Sequence, residues 1–171
     1  MISDKNKFVI AVYVENKFGV LTRVTSMFTR RGFNIDALTV GETESPEYSR
    51  ITISLSGDGY AREQLINQLR KLINVKKVDV LEDECIKREL MLIKICYDRT
   101  SRPDILDAVK VFRGNVIDYS NDEMCIEITG DPSKIDAFIE LVTQYGIIEM
   151  CRTGIVALDR GKITLLNKNN K

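Results

Sequence analysis

Asn16, Lys17, Phe18, Gly19, Val20 and Leu21 form a short run able to hold a small anion. The run joins an apolar stretch, Phe8 to Val14, to a helix-patterned one, Val20 to Arg31. Where a helix begins, its first N–H groups lack partners inside the helix and the peptide dipoles leave positive potential. A carboxylate is well accommodated at such a junction. Gly19 lets the backbone approach a ligand closely, because no Cβ intervenes. The N–H groups of Gly19, Val20 and Leu21 are candidate donors, and the Asn16 amide both donates and accepts, which suits a zwitterion. The plain alternative is a strand-to-helix connection that happens to contain glycine.

Other chemistry is poorly represented. The chain has no histidine, so the commonest general base and the usual partner of a nucleophilic serine are missing. Carboxylate pairs such as Asp83-Glu84 and Asp122-Glu123 lie in polar turns, where nothing would tune them for acid–base work. Lys17 is a conceivable catalytic amine with no sequence neighbour that would activate it. Gly57 and Gly59 are not followed by the third glycine of a dinucleotide fingerprint. The cysteines Cys85, Cys96, Cys125 and Cys151 form no CxxC pair, and Cys96 and Cys125 fall in strand-like runs as small buried hydrophobes. No catalytic residue and no metal site is assigned.

The 25 basic and 25 acidic residues balance, which gives no field for nucleic acid or an anionic membrane surface. No apolar run is long enough to span a bilayer. Met1 to Lys5 lacks the apolar centre of a signal peptide, so a cytoplasmic protein is expected.

The elements that must position the run follow from periodicity. Phe8–Val14 reads as a strand, and Val20, Leu21, Val24, Met27 and Phe28 share one face of a helix that closes on Arg30-Arg31-Gly32. Strands follow over Asn34–Val40 and Ser49–Ser56, with a connection containing Pro46 between them. A second helix carries Leu65, Ile66, Leu69, Leu72 and Ile73, and Val75–Leu81 is a fourth strand. That is β-α-β-β-α-β, the ferredoxin-like unit. Glu82-Asp83-Glu84 marks a charged joint. The order then repeats: a strand over Leu90–Tyr97, a helix from Pro103 to Gly114, strands from Val116 and over Met124–Thr129, and a helix capped by Asp131-Pro132. A last strand spans Ile147–Leu158, interrupted at Gly154. An α+β protein of two ferredoxin-like domains in tandem is predicted, residues 1–82 and 83–171, with a polar, frayed tail from about 163. Each sheet has a face without helices, and Ile51, Ile53 and Leu55 point one way. Pairing of sheets in a homodimer is therefore expected, and Asn34-Ile35 of one subunit could then face the loop of the other.

Residues 8–81 resemble an ACT domain, a small-molecule-sensing module of amino-acid metabolism. More specifically, VENKFGVLTRVTSMFTRRGFNIDALTVG, PEYSRITI, KRELMLIKI, VFRGNVID, KIDAFIELV and RTGIVALDRG together resemble the regulatory, small subunit of acetolactate synthase. The likeness covers residues 8 to about 162. It implies a chain without an active site of its own. Such a chain would stimulate a large catalytic subunit that carries thiamine diphosphate, Mg2+ and FAD, and would confer feedback inhibition by valine or another branched-chain amino acid. The effector-binding site implied comprises Asn16, Lys17, Phe18, Gly19, Val20 and Leu21 of one chain with Asn34 and Ile35 of its partner. Lys17-Phe18 departs from the ACT pattern, in which proline or a small polar residue usually precedes the glycine; Phe18 is placed to narrow or cap a pocket. The second domain would contact and activate the catalytic subunit, and Arg113-Gly114 and Arg152-Thr153-Gly154 are its marks. The competing reading is a free-standing ACT-type amino-acid sensor acting on another enzyme or regulator.

Overall fold

The computed structural model describes residues 7–30, 32–81 and 84–168. The N-terminal Met1–Lys5, Arg31 in the helix-closing Arg30-Arg31-Gly32, Glu82 and Asp83 of the charged joint and the end of the polar tail lie outside the described residues. Two compact units form, one from the chain up to Ile86 together with Ile155 onward, the other from Lys87 to Gly154.

The first unit contains β1 (Lys7–Glu15), α1 (Val20–Arg30), β2 (Ile35–Glu42), β3 (Tyr48–Ser56), α2 (Gly59–Leu69) and β4 (Val75–Leu81). Its sheet is antiparallel in the order β2-β3-β1-β4, as the ferredoxin-like reading requires. β1 is central and apolar on both faces, so it is buried almost throughout. One face carries Ile10, Val12, Val14, Ile51, Ile53 and Leu55, all covered by α1 and α2 through residues such as Val24, Phe28, Leu65 and Leu69.

α1 holds its place by packing rather than by propensity. Val20, Thr22, Val24, Thr25 and Thr29 are β-branched, and together they disfavour the helix by about 3 kcal/mol. Burial of Val20, Val24 and Phe28 contributes roughly 5–9 kcal/mol in the other direction. The start of α1 is thus pinned to the sheet by Val20. α2 has an additional local signal: Asp58 Oδ1 accepts from the Ala61 N–H at 2.7 Å. It ends at Leu69, short of the expected Leu72 and Ile73, and Ile73 is exposed.

The opposite face of this sheet is not bare. Val9, Ala11, Tyr13 and Leu81 form a second core with Cys85, Ala157 and Leu165. The chain returns from the second unit at Ile155 and lays a short strand, β9 (Val156–Leu158), and the residues up to Lys168 within the first unit. Lys168 anchors the return, its ammonium lying 3.0 Å from Asp79 and 3.2 Å from Asp159. The sequence pattern assigned all of 83–171 to the second domain and the residues from about 163 to a frayed tail. Local periodicity carries no information about which sheet a returning segment covers. Nor do Ile51, Ile53 and Leu55 call for a second copy, since they face the chain's own helices. What stays open is an edge: β2 has a neighbour on one side only.

The second unit contains β5 (Ile86–Cys96), α3 (Arg102–Val111), β6 (Asn115–Tyr119), β7 (Glu123–Gly130), α4 (Pro132–Val142) and β8 (Ile147–Arg152), with sheet order β6-β7-β5-β8. Met91, Ile93, Ile95, Ile126 and Ile128 pack beneath Ile105, Ile135, Phe138 and Val142. Asp131 caps α4 as its spacing predicts, accepting from the Lys134 N–H at 3.0 Å with Pro132 in the first turn. The expected last strand is broken at Gly154, where φ is +78°.

The end of α3 departs from the glycine-cap reading. Arg113, not Gly114, takes the left-handed conformation, with φ +51°. Gly114 is needed for a different reason: a Cβ there would stand 2.9 Å from Ile128 Cγ1 and 3.0 Å from the Glu127 carbonyl oxygen. The cysteines also differ from expectation. Cys85 is buried, whereas Cys96 is exposed and Cys125 half-buried. Cys96 follows Ile95, and Cys125 lies between Met124 and Ile126, so strand alternation turns both away from the core.

Candidate functional site

The run after β1 is a tight turn onto α1. The Val20 N–H donates to the Lys17 carbonyl at 3.3 Å, and Gly19 in between has φ +79°, a conformation that glycine adopts without cost. Phe18 at the tip is fully exposed, and a Cβ built on Gly19 would meet no atom within 4 Å. The turn therefore presents open backbone to solvent. The N–H groups of Gly19 and Leu21 have no partner among the described residues, and no acidic residue occupies the first turn of α1. The Val20 N–H, expected as a third donor, is spent on closing the turn, and the Val20 side chain is buried. What remains is a pair of backbone donors at a helix N-terminus, the arrangement that receives a carboxylate.

Asn16, three residues before Gly19, is held in a fixed orientation. Its Nδ2 donates to Glu42 Oε1 at 3.1 Å and to the Pro46 carbonyl at 3.0 Å, while its backbone N–H donates to the Glu47 carbonyl at 2.7 Å. Both amide protons are thus engaged, and the amide oxygen is the atom left to meet a donor such as an ammonium group.

The base of the turn is tied down by Glu15. Its Oε1 lies 2.7 Å from Lys76 Nζ, and its Oε2 accepts from Asn74 Nδ2 at 2.8 Å and from Lys17 Nζ at 3.1 Å. Asn74 Oδ1 in turn accepts from Arg23 Nη1 of α1 at 2.8 Å, so one amide links the strand, the turn and the helix. Lys17 is therefore a tether, not a free amine. Sequence reasoning found none of Arg23, Glu42, Asn74 and Lys76, because each contact joins residues far apart in the chain and leaves no local spacing.

Lys76, then Asn74 and Lys17, hold the Glu15 carboxyl down at about 2, against an ordinary value of 4.5. Because the folded value is depressed, the interaction stabilises the turn fully above pH 4.5 and is lost as the pH falls from there toward 2. A carboxyl-carbon NMR titration is expected to give Glu15 a midpoint near 2. A midpoint above about 4 would mean that the tether does not form in solution.

Asn34 and Ile35 are not near this turn within one chain. Ile35 pairs with Leu55 at one end of β3, whereas Glu42 pairs with Ser49 at the other. β1 reaches the turn at that second end, where Glu15 pairs with Tyr48. The separation along the sheet is roughly 23 Å at the usual strand rise. Asn34 is exposed and makes no hydrogen bond among the described residues, and Ile35 is half-buried.

The two arginines expected to mark a partner surface have different surroundings. Arg113 sits in the strained backbone described above. Arg152 is anchored inside the second unit: its Nε and Nη2 donate to the two oxygens of buried Glu89 at 2.8 and 2.7 Å, and its Nη1 donates to Asp136 at 2.8 Å. Bonding to Glu89 pushes the Arg152 guanidinium above its ordinary value. Among the described residues, no group of three or more Cys, Asp or Glu could hold a metal ion, and no helix is long and apolar enough to cross a membrane.

Comparison with known proteins gives consistent results. Residues 10–77 match a family described as the AHAS small subunit-like ACT domain, and residues 88–161 match the small subunit of acetolactate synthase. The chain is 49% identical over 155 residues to a probable acetolactate synthase small subunit of Archaeoglobus fulgidus, covering 91% of this chain and 98% of that one. It is 47% identical over 153 residues to the acetolactate synthase small subunit of Mycolicibacterium smegmatis, covering 89% and 90%. Among solved structures, the small subunit from Thermotoga maritima superposes with a TM-score of 0.84 at 41% identity, covering 92% of this chain and 99% of that one.

Proposed function

The chain belongs to the family of acetolactate synthase small subunits, and from that premise we propose that it is a non-catalytic regulator. It activates the large catalytic subunit and makes it sensitive to a branched-chain amino acid, valine first. In this reading the cofactors thiamine diphosphate, Mg2+ and FAD reside in the large subunit, and the complex works in the cytoplasm.

The observation that carries the sensing role is the placement of the turn relative to the open β2 edge. If two copies pair their β2 strands antiparallel about a two-fold axis near the strand middle, Ile35 of one falls opposite Glu42 of the other. Glu42 is the residue that holds Asn16. Asn34 and Ile35 of one protomer would then complete the site begun by Asn16, Gly19 and Leu21 of its partner. The Gly19 and Leu21 N–H groups take the carboxylate, and the Asn16 and Asn34 amides take the ammonium group. Phe18 covers the aliphatic side chain. A ligand that bridges two chains changes the free energy of their association, which is the coupling a regulator needs.

The test is reconstitution. Adding this chain to the large subunit from the same organism should raise acetolactate formation and make it inhibitable by valine, leucine or isoleucine. An active large subunit whose rate and valine response are unchanged by saturating small subunit would refute the assignment.

A further inference from the structure

The side of the first unit away from the β2 edge carries a groove that the effector site does not use. β4 is the opposite edge of that sheet, and the connection leading into it, Lys71 to Val75, runs beside the start of α1. Val20 and Val24 of α1 are buried at its base, and Leu72 and Val75 are half-buried against the same core. Ile73 forms a lip and is 82% exposed. The space amounts to about 130 Å3. Sites for small molecules begin at about 300 Å3, so this one suits a single aliphatic side chain presented by a larger partner.

The rim is basic. Arg23 and Lys71 border the groove, and exposed Arg70 stands next to Lys71. From Arg70 to Val75 the chain has no carboxylate, and α1 has none along its length. Glu15 is brought near, but Lys76, Asn74 and Lys17 already hold its two oxygens. Glu63 lies back along α2, about two turns before Lys71. Arg23, Arg70 and Lys71 therefore have no carboxylate partner among the described residues, in a chain whose 25 basic and 25 acidic residues balance overall.

Size and charge together specify the occupant. A second copy paired through β2 sits at the far edge of the sheet, and one laid groove to groove would set like charges against each other. Single-stranded nucleic acid stacks its bases on aromatic rings, whereas the apolar groove walls are aliphatic. A protein segment with an aliphatic residue flanked by Asp or Glu satisfies both pocket and rim. We propose that the groove between α1 and the α2–β4 connection docks such an acidic segment of the catalytic large subunit, a role that rests on the reading of this chain as that subunit's regulator. The position joins sensing to the partner. Arg23 on the rim is bonded to Asn74, Asn74 to Glu15, and Glu15 to Lys17 in the turn. A ligand at the turn and a segment in the groove thus act on the same end of α1, which couples their affinities.

Binding of the full-length chain to the large subunit is measured by sedimentation and by titrating the stimulated rate, for wild type, Lys71→Glu and Ile73→Asp. Both positions are exposed, so the variants should melt with wild type. Each should raise Kd at least about tenfold, because the new carboxylate repels an acidic segment. Wild-type affinity should fall with added salt, and Lys71→Glu should flatten that dependence, a change that lost packing would not produce. With Ile73 replaced by photoreactive benzoylphenylalanine, the chain should cross-link to a large-subunit segment containing Asp or Glu. If both variants bind within about threefold of wild type and the cross-linker labels no large subunit, the proposal is overturned, while stimulation by wild type leaves the regulatory role standing. Cross-linking to a segment without acidic residues overturns it as well. So does binding of a single-stranded RNA oligonucleotide that Lys71→Glu abolishes while large-subunit affinity stays unchanged. A wild type that neither binds nor stimulates the large subunit refutes both this dock and the regulatory role.

Discussion

Gly19→Asp is expected to remove valine control from the reconstituted enzyme while leaving its stimulation intact. Two effects combine. A non-glycine residue at φ +79° costs about 1 kcal/mol, less for Asp than for a β-branched residue. Charge matters more, because the new carboxylate would lie beside the Gly19 and Leu21 N–H groups, which the proposed site reserves for the ligand's carboxylate. Two like charges about 4 Å apart near a protein surface repel by roughly 4 kcal/mol. The inhibitory concentration should therefore rise by at least about a hundredfold. Folding should be little affected, since the added Cβ meets nothing within 4 Å and aspartate is itself a good N-cap. Gly19→Ala separates the contributions, because it keeps the backbone cost and omits the charge. Valine inhibition of Gly19→Asp within about threefold of wild type would place the effector elsewhere.

Arg152→Met should destabilise the second unit more than any surface substitution. Glu89 is only 5% exposed, and both of its oxygens are held by Arg152 in a two-pronged pair. Removing the arginine leaves a buried carboxylate without its counter-charge, a change that costs about 3–5 kcal/mol in fully buried pairs. Arg152 is 31% exposed, so water can partly replace it, and about 3 kcal/mol is the fitting figure. For a unit of this size that lowers the melting temperature by more than about 10 °C. Arg152→Lys should fall in between, because an ammonium keeps the charge and loses the fork. Glu89→Gln combined with Arg152→Met should recover part of the loss, which identifies the penalty as the orphaned charge rather than lost packing. A melting shift under about 3 °C for Arg152→Met would contradict the pairing.

This result also bears on activation. Arg152 spends three of its five N–H groups on Glu89 and Asp136, so most of its bonding is committed within the second unit. Loss of stimulation in Arg152→Met is thus expected to track loss of folded second unit, and circular dichroism of the same samples separates the two.

The sequence was most informative where structure is periodic. Alternation in SRITISLS and the i, i+4, i+8 face of Val20, Val24 and Phe28 located a strand and a helix of the first unit, and Asp131-Pro132 marked a helix start of the second to the residue. The turn at Gly19 was legible for the same reason, because a left-handed glycine before an amphipathic run is a local signal. Three things were not local. The Glu15, Asn74 and Arg23 tether and the Glu89–Arg152 pair each join residues far apart in the chain, and polar residues carry no register of their partners. Arg113 took the left-handed position that glycine usually fills, because Gly114 was required where β7 passes too close for a Cβ. The returning segment after Gly154 looked like a strand followed by a tail, and only the apolar reverse face of β1 explains why it is held.

That return has a consequence for how the protein is made. A chain emerging from the ribosome completes β1 to β4 early, yet Val9, Ala11, Tyr13 and Leu81 cannot gain their cover until the stretch around Ala157 and Leu165 has been synthesised. At ordinary elongation rates the delay is on the order of seconds, longer than a small domain needs to collapse. During that interval the nascent first unit exposes an apolar sheet face to everything near the ribosome. A chaperone, or another nascent copy, would meet it before its own sequel does.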